Sequence, residues 1–544
     1  MKQKRIYIQQ WLDFKPYKTQ TSTDAYYLKL CNEVKHAITS SKHSLVMQRY
    51  LQSQEMDMLS CFLTAYFEDL ISETNLWNSF IKKHKDLYNK QLPFYFLDAY
   101  YEEEINLQDV SFLIWYFMNT IQEDKFIAPF NDFIIETAEK VMAIFDTAWD
   151  YAPENEHLKQ FYEIAENETD FYKARAINDI VLFQSYLFYP DTNRIIKEKE
   201  LELIENPQTK ENIQMFLNDN RDDTLHKAHT RLLSLTGKEW ASEIIGKQHS
   251  LKKDFLTISE RIRGYFFYKG QDENNIFIEH IASSKRFNLT KKSFDNGASL
   301  QEIDTILFMG IVQWKNEWWF SGIFFQQPFN ADLILDEKNS QKSRMQVNFL
   351  DHKTEKIEEV LVQQYTTFLA FNKGLPIAFM PSEKVDDFTK NYMEYFNASL
   401  KLSVKEQKQA KQRAKDEGFF GTKEEPIKYK EASETALVFF NPRSGLEIAL
   451  ATNNAFPLTN NPYFEEAQSE EHILLLLMNE NLSVELVMYC IDNCKSKLPF
   501  FNNTVGKSYL KDIDFLLRFW KKDNYHTKPA ITFTGTKQEN IFTN

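Results

Sequence analysis

Over the first 250 positions the apolar residues recur every three or four places. Leu59, Phe62, Leu63, Tyr66, Phe67 and Leu70 follow Met56 as one stripe at helical spacing. Thr23-Asp24 reads as a cap for a helix running through Ala37. The same pattern predicts helices over 74–89, 109–122, 131–149, 154–166, 169–188, 192–204, 209–218 and 223–235. Pro93, Pro129, Pro153, Pro190 and Pro207 fall between them, where helices stop or start. No glycine occurs in the first 236 residues, where ordinary usage would place roughly 16. A phosphate loop, a dinucleotide fingerprint or a tight β-hairpin is therefore not expected there. Prolines and polar clusters are left as the breaks between helices.

The pattern changes after Gly264. Short apolar runs predict strands at 265–268, 276–281, 305–314, 318–325 and 333–335, the two long ones joined across Lys315-Asn316-Glu317. Helical spacing returns at 354–373 and 383–397, with a strand at 376–380 between them. A hairpin at 437–441 and 446–451 turns on Pro442-Arg443-Ser444-Gly445. Helices at 468–479, 482–493 and 507–521 follow. The expected fold is mainly α and multidomain. It divides into an all-helical acidic domain over 1–250, a small β-rich domain (SH3-like or an open barrel) over 255–340, a helical segment with a basic linker helix over 345–430, and a C-terminal α+β region over 431–535.

Composition sharpens this picture at three points. Hydrophobic residues make up 43% of the 544, and aromatics 15%, which suits packed cores rather than disorder. Net charge is −14, and residues 91–170 hold 18 acidic and 3 basic side chains, or −15, leaving 60 acidic against 61 basic elsewhere. Such asymmetry suits either a surface for a basic partner or a solvated helical face. Cys31, Cys61, Cys490 and Cys494 are too few and too scattered for a disulfide framework, so buried, reduced thiols are expected. No apolar stretch follows the charged start, and the longest apolar run, 112–118, is too short to cross a bilayer. A cytoplasmic protein without membrane association is the expectation.

Three stretches carry a family resemblance. They are Ile6-Tyr7-Ile8-Gln9-Gln10-Trp11-Leu12 leading to Lys15-Pro16-Tyr17, then Asn441-Pro442-Arg443-Ser444-Gly445, and Asp514-Phe515-Leu516-Leu517-Arg518-Phe519-Trp520 leading to Asn524-Tyr525-His526. Together they resemble an uncharacterised bacterial family carrying a domain of unknown function. The resemblance implies a cytoplasmic bacterial protein related over most of the chain. It supplies no catalytic residues.

Candidate chemistry is sparse. Glu33-x-x-His36 and Glu154-x-x-His157 have the spacing of di-metal helical bundles, but Glu154 and His157 fall in a first turn, where ligands lack rigid support. His226-x-x-His229, behind Asp222 and Asp223, reads as a metal edge or as a helix start with acids at its positive end. Gly506-Lys507-Ser508 echoes a phosphate loop, yet Phe501 stands where that loop needs its first glycine. Lys401, Lys405, Lys408, Lys411 and Lys415, with Arg413, form a basic stripe if helical, suited to nucleic acid or to a solvated linker. Trp314, Trp318 and Trp319 make the predicted hairpin the densest aromatic site. Trp318 and Trp319 point to opposite faces of a strand, so one is expected to be exposed or packed on a neighbouring domain.

The leading expectation is a non-enzymatic binding or scaffold protein with no cofactor. Its acidic region would meet a basic partner, and the hairpin tryptophans would mark a second contact. A nucleic-acid binder using 401–415 and the hairpin is the alternative. A helical-bundle metalloenzyme is a third reading.

Overall fold

The structure is a computed structural model. It describes residues 5–95, 100–122, 126–206, 210, 212–294, 297, 299–348, 355–400, 403–406, 408, 412 and 433–529. Contacts divide the chain into two units: 1–261 with 312–323, and 262–311 with 324–544.

Helices build the first unit: α1 (Ile8–Leu12), α2 (Asp24–Thr39), α3 (Ser44–Met47), α4 (Ser53–Ser72), α5 (Leu76–Tyr88), α6 (Leu107–Ile121), α7 (Asp132–Ala148), α8 (Glu156–Gln160), α9 (Phe171–Gln184), α10 (Tyr189–Glu205), α11 (Ile213–Lys227), α12 (Gly237–Ile244) and α13 (Lys252–Leu256). At the centre lie α4 and α6, buried along nearly their whole length. A capping box between Gln52 and Glu55 starts α4, and Pro190 sits in the first turn of α10, where its missing N–H is no loss. Helix α2 packs on α4 and α7, α6 on α7, and α9 on α12.

The glycine-free stretch still turns sharply. Glu73, Asn75, Asn89, Phe94, Leu233 and Ser234 all take positive φ. Asparagine tolerates this region, but Phe94 and Leu233 are held there by their surroundings. Leu233 and Ser234 lie in a tight loop closed by a His229–Thr236 bridge and by Thr230 N–H donating to Leu235 O at 2.9 Å. Prolines and polar clusters are thus not the only breaks.

In the second unit, β1 (Ile262–Gln271), β2 (Asn275–His280), β3 (Arg286–Thr290), β4 (Ile306–Trp314) and β5 (Glu317–Gln327) belong to one sheet in the order β1-β2-β3-β5-β4, which closes into a barrel. The tip of the β4–β5 hairpin, residues 312–323, falls in the first unit. Strand β1 pairs with both β2 and β4, which closes the small β-rich domain expected from the sequence as SH3-like or an open barrel. Strand β3 escaped the sequence reading; only Phe287 and Leu289 alternate with polar residues there. Helices α14 (Ala331–Asn339), α15 (Gln341–Asn348), α16 (Glu355–Phe371) and α17 (Val385–Ser399) follow. The strand expected at 333–335 is part of α14, whose start is set by the Asn330 side chain accepting from Leu333 N–H. Strands β6 (Ile377–Pro381), β7 (Thr435–Asn441) and β8 (Gly445–Leu450) form a second, antiparallel sheet. Phe368, Tyr392 and Phe396 of α16 and α17 cover it, meeting Val438 and Phe440. The helix expected over 507–521 is two, Thr504–Lys511 and Ile513–Trp520, broken at Asp512.

The fold is mainly α and multidomain, with a small β-rich barrel in the middle and an α+β region toward the C-terminus. Among the described residues no helix is long and apolar enough to cross a membrane.

Candidate functional site: an acidic face and three polar clusters

Helix α7 carries the acidic block outward. Asp132, Glu139 and Asp146 are exposed, and their spacing keeps them on one side of the helix; Asp150, in the 3-10 turn that follows, is exposed as well. Phe133, Ile134, Val141 and Phe145 bury the opposite side. Glu136, at the edge, meets Lys42 at 2.7 Å and His43 at 3.0 Å. Past the helix, Tyr151 is 80% exposed, and Glu154, Glu156, Glu163 and Glu166 continue the charge at the surface. Asp109 behaves differently. It is fully buried, accepts from Tyr66 Oη at 3.0 Å and Tyr100 Oη at 3.1 Å, and burial pushes its carboxyl up to about 7.

The hairpin tryptophans separate by face. Trp314 and Trp319 are buried and Trp318 is half-buried. Trp319 packs on Phe171 and Tyr172 of α9, with ring centroids 6.1 and 6.0 Å apart, and Tyr172 Oη donates to Phe320 O at 3.1 Å. Trp314 meets Phe255 edge-on at 5.6 Å.

Beside this tip, α11 ends in a cluster that the sequence reading misplaced. Asp219, Asp222 and Asp223 occupy its last turns, not a helix start. Asp219 and Asp222 are buried there, so cations must offset their charge. The fully buried Arg261 guanidinium reaches Asp219, Asp222 at 3.0 Å and Asp223 at 3.4 Å, while Arg175 meets Asp222 at 2.7 Å. Ser321 Oγ donates to Asp222 at 2.6 Å. Burial pushes the Asp222 carboxyl up, but the facing His226, Arg261 and Arg175 outweigh it and hold it below its usual value. His226 stacks on Phe171 at 6.1 Å, and burial lowers it to about 4. Among the described residues, no group of three or more His, Cys, Asp or Glu side chains is placed to hold a metal ion. Glu33 instead lies 3.6 Å from Lys29 at the surface, and the His157 ring lies 5.0 Å from that of Tyr17.

Of the basic stripe, Lys405 and Lys408 are exposed. Lys401, Lys411, Arg413 and Lys415 lie outside the described residues. Gly506 is inside a helix capped by Asn503, and a Cβ there would lie 2.0 Å from Phe500 O. Close packing, not a phosphate, explains that glycine.

A buried polar network in the first unit was missed by sequence reasoning. Asp24 accepts from Trp11 Nε1 at 2.8 Å and Tyr17 Oη at 3.1 Å. Lys15, 1% exposed, pairs with Glu68 and lies 4.1 Å from the Trp11 ring. Asn155 Nδ2 donates to Glu68 at 2.8 Å and Tyr17 Oη at 3.0 Å. Burial lowers the Lys15 ammonium to about 7. A signal was present: Ser60, Thr64, Glu68 and Ser72 recur at steps of four in α4, and all are buried.

In the second unit a cleft of about 360 Å³ is lined by Ser444, Glu447, Asn481, Ser483, Asn524 and His526, among others. It joins the second and third resembling stretches. Glu447 accepts from Ser483 N–H at 2.7 Å, and burial pushes its carboxyl up. Its mixed hydroxyl, amide and carboxyl lining suits a small polar molecule.

The first unit is thus a mainly helical body with a charged, hydrogen-bonded interior and an acidic outer face. Residues 5–265 match the family described as "Protein of unknown function (DUF3843)". The first resembling stretch lies within the match, and the other two lie beyond it. No curated protein and no solved structure matches the chain.

Proposed function

We propose that this is a cytoplasmic, non-enzymatic binding or scaffold protein whose helical domain offers the acidic face of α7 to a basic protein partner. The observation that carries this reading is the row Asp132, Glu139 and Asp146, exposed on one side of α7, with Asp150 and the 80% exposed Tyr151 just past its end. Carboxylates steer a cationic partner over roughly 10 Å at 0.1 M salt, and a tyrosine supplies rigid contact area at low entropic cost. Lys15, Asp69 and Asp109 of the helical domain are at most 2% exposed and engaged in hydrogen bonds or ion pairs, which suits a structural role for them. Trp318 at the hairpin tip offers a second contact.

The test is fluorescence anisotropy with a labelled Lys/Arg-rich peptide at low salt. Asp132→Lys, Glu139→Lys and Asp146→Lys together should weaken binding at least about tenfold and flatten its salt dependence. Unchanged binding in that variant would remove the acidic face from the reading.

A further inference from the structure

Cys31 on α2 and Cys61 on α4 face each other where these helices pack, Sγ to Sγ at 3.5 Å. A disulfide needs about 2.05 Å, so closure requires an approach of roughly 1.5 Å. The two residues are 30 apart in sequence, and each helix carries its sulfur to the same seam. Cys490 and Cys494 are different. They sit on consecutive turns of one helix, Val484–Cys494, and the Cys490 thiol donates to Ala455 O at 3.1 Å. Cβ atoms at that spacing stand about 5–6 Å apart, whereas a disulfide needs about 3.5–4.5 Å. The Cys490 and Cys494 thiols also meet, but one helix fixes their spacing, whereas Cys31 and Cys61 come from two helices.

A route to the first pair exists. A cavity of about 100 Å³ has Cys61 in its wall, with Gln10, Asp13, Asn193 and Lys197 around it. One water needs only about 10–15 Å³, so the cavity has room for several small molecules of that size. Hydrogen peroxide is slightly larger than water and hydrogen-bonds in the same way. Cys61 lines the cavity and Cys31 does not, which sets the order of events. Burial, the neighbouring Cys31 sulfur and Asp57 push the Cys61 thiol up, and the Lys15 ammonium offsets a part of this.

We propose that Cys61 and Cys31 are a peroxide-oxidised pair that closes reversibly into a disulfide tying α2 to α4. The Cys61 sulfur attacks one peroxide oxygen and the O–O bond breaks. Cys61 becomes a sulfenic acid, and the departing hydroxide takes up the thiol proton as water. The Cys31 sulfur then attacks the Cys61 sulfur. An S–S bond forms, the S–O bond breaks, and the hydroxyl leaves with the Cys31 proton as a second water. Two thiols are oxidised and one peroxide is reduced to two waters. An added dithiol reverses the closure by exchange.

The experiment treats the folded full chain with hydrogen peroxide, alkylates it, and reads intact mass and peptide maps. The expected result is a loss of about 2 Da, a cross-linked pair of peptides containing Cys31 and Cys61, and recovery with dithiothreitol. Cys490 and Cys494 should remain alkylatable once the chain is unfolded. In Cys31→Ser, Cys61 should stop at the sulfenic acid and be captured by dimedone. In Cys61→Ser, Cys31 should stay reduced. A folded wild-type chain that yields no such cross-link overturns the proposal. So does equal cross-linking of Cys490 to Cys494, or oxidation of Cys31 in Cys61→Ser. The wild-type arm decides even if a serine variant fails to fold.

Discussion

A Cβ on Gly322 would lie 2.1 Å from Nη2 of Arg261. Gly322 also holds φ at +88°, so two independent demands meet at one residue of the hairpin tip. The bare backbone lets the guanidinium pass to Asp219 and Asp222. Gly322→Ala should therefore lose about 3 kcal/mol or more, combining left-handed strain with a displaced buried ion cluster. Gly374 has φ at +85° but nothing within 4 Å of the added Cβ. Gly374→Ala should lose only about 1 kcal/mol. Urea unfolding of the two variants separates the terms, and equal losses would refute the steric one.

Arg261→Met should be among the most damaging single changes in the helical unit. It strands the buried carboxylates Asp219 and Asp222, at about 3–5 kcal/mol for a broken buried pair. Asp223 is partly exposed and also meets Lys227 at 2.7 Å. Asp223→Asn should then change stability by less than about 1 kcal/mol. A small loss in Arg261→Met, read by denaturant midpoint, would show that the cluster is not what joins α11 to the hairpin tip.

Lys15 and Glu68 invite a double-mutant cycle. Lys15→Met leaves Glu68 buried with Asn155 but no cation, and Glu68→Gln leaves the ammonium facing an amide. Each single change should destabilise strongly. The double variant should lose less than the sum of the two, with a coupling of about 1–3 kcal/mol. Strict additivity would mean that the pair adds nothing beyond packing.

Asp109 gives a pH test whose sign is fixed. Its folded carboxyl is raised to about 7, against about 3.9 in an unfolded chain. Between those values the folded state keeps a proton that the unfolded state loses, so this contribution is full at low pH and is lost as pH rises toward 7. Asp109→Asn cannot titrate. Relative to wild type, its stability should improve with pH by up to about 1.4 kcal/mol per unit, levelling off above about 7. Urea titrations of both proteins at several pH values check the trend. A constant difference would mean that Asp109 titrates as an ordinary carboxyl.

Much of the fold was legible because burial leaves a period. The stripe from Leu59 to Leu70 marks α4, and the runs around Ile311 and Phe325 mark β4 and β5. Short elements failed where few residues carry the period. Three apolar residues at 333–335 look alike as strand or helix, and the cap at Asn330 decided for helix. Asp222 and Asp223 looked like a helix start because acids favour that end. Their true place, at a helix end, makes sense only once Arg261 and Arg175 are in position. The polar residues of α4 were visible, but their partners Lys15 and Asn155 come from distant parts of the chain.

By itself the sequence determined the class of each long element, the acidic block over 91–170 and the change of character after Gly264, because periodicity, charge and backbone freedom are local properties. Tertiary structure decided which carboxylates face water and which lie inside. It put Asp132, Glu139 and Asp146 on the surface and Asp109 in the core. It also closed the barrel, paired Lys15 with Glu68, and set Cys31 beside Cys61. Desolvation and pairing depend on what comes near in space, and that information is absent from any single stretch of chain.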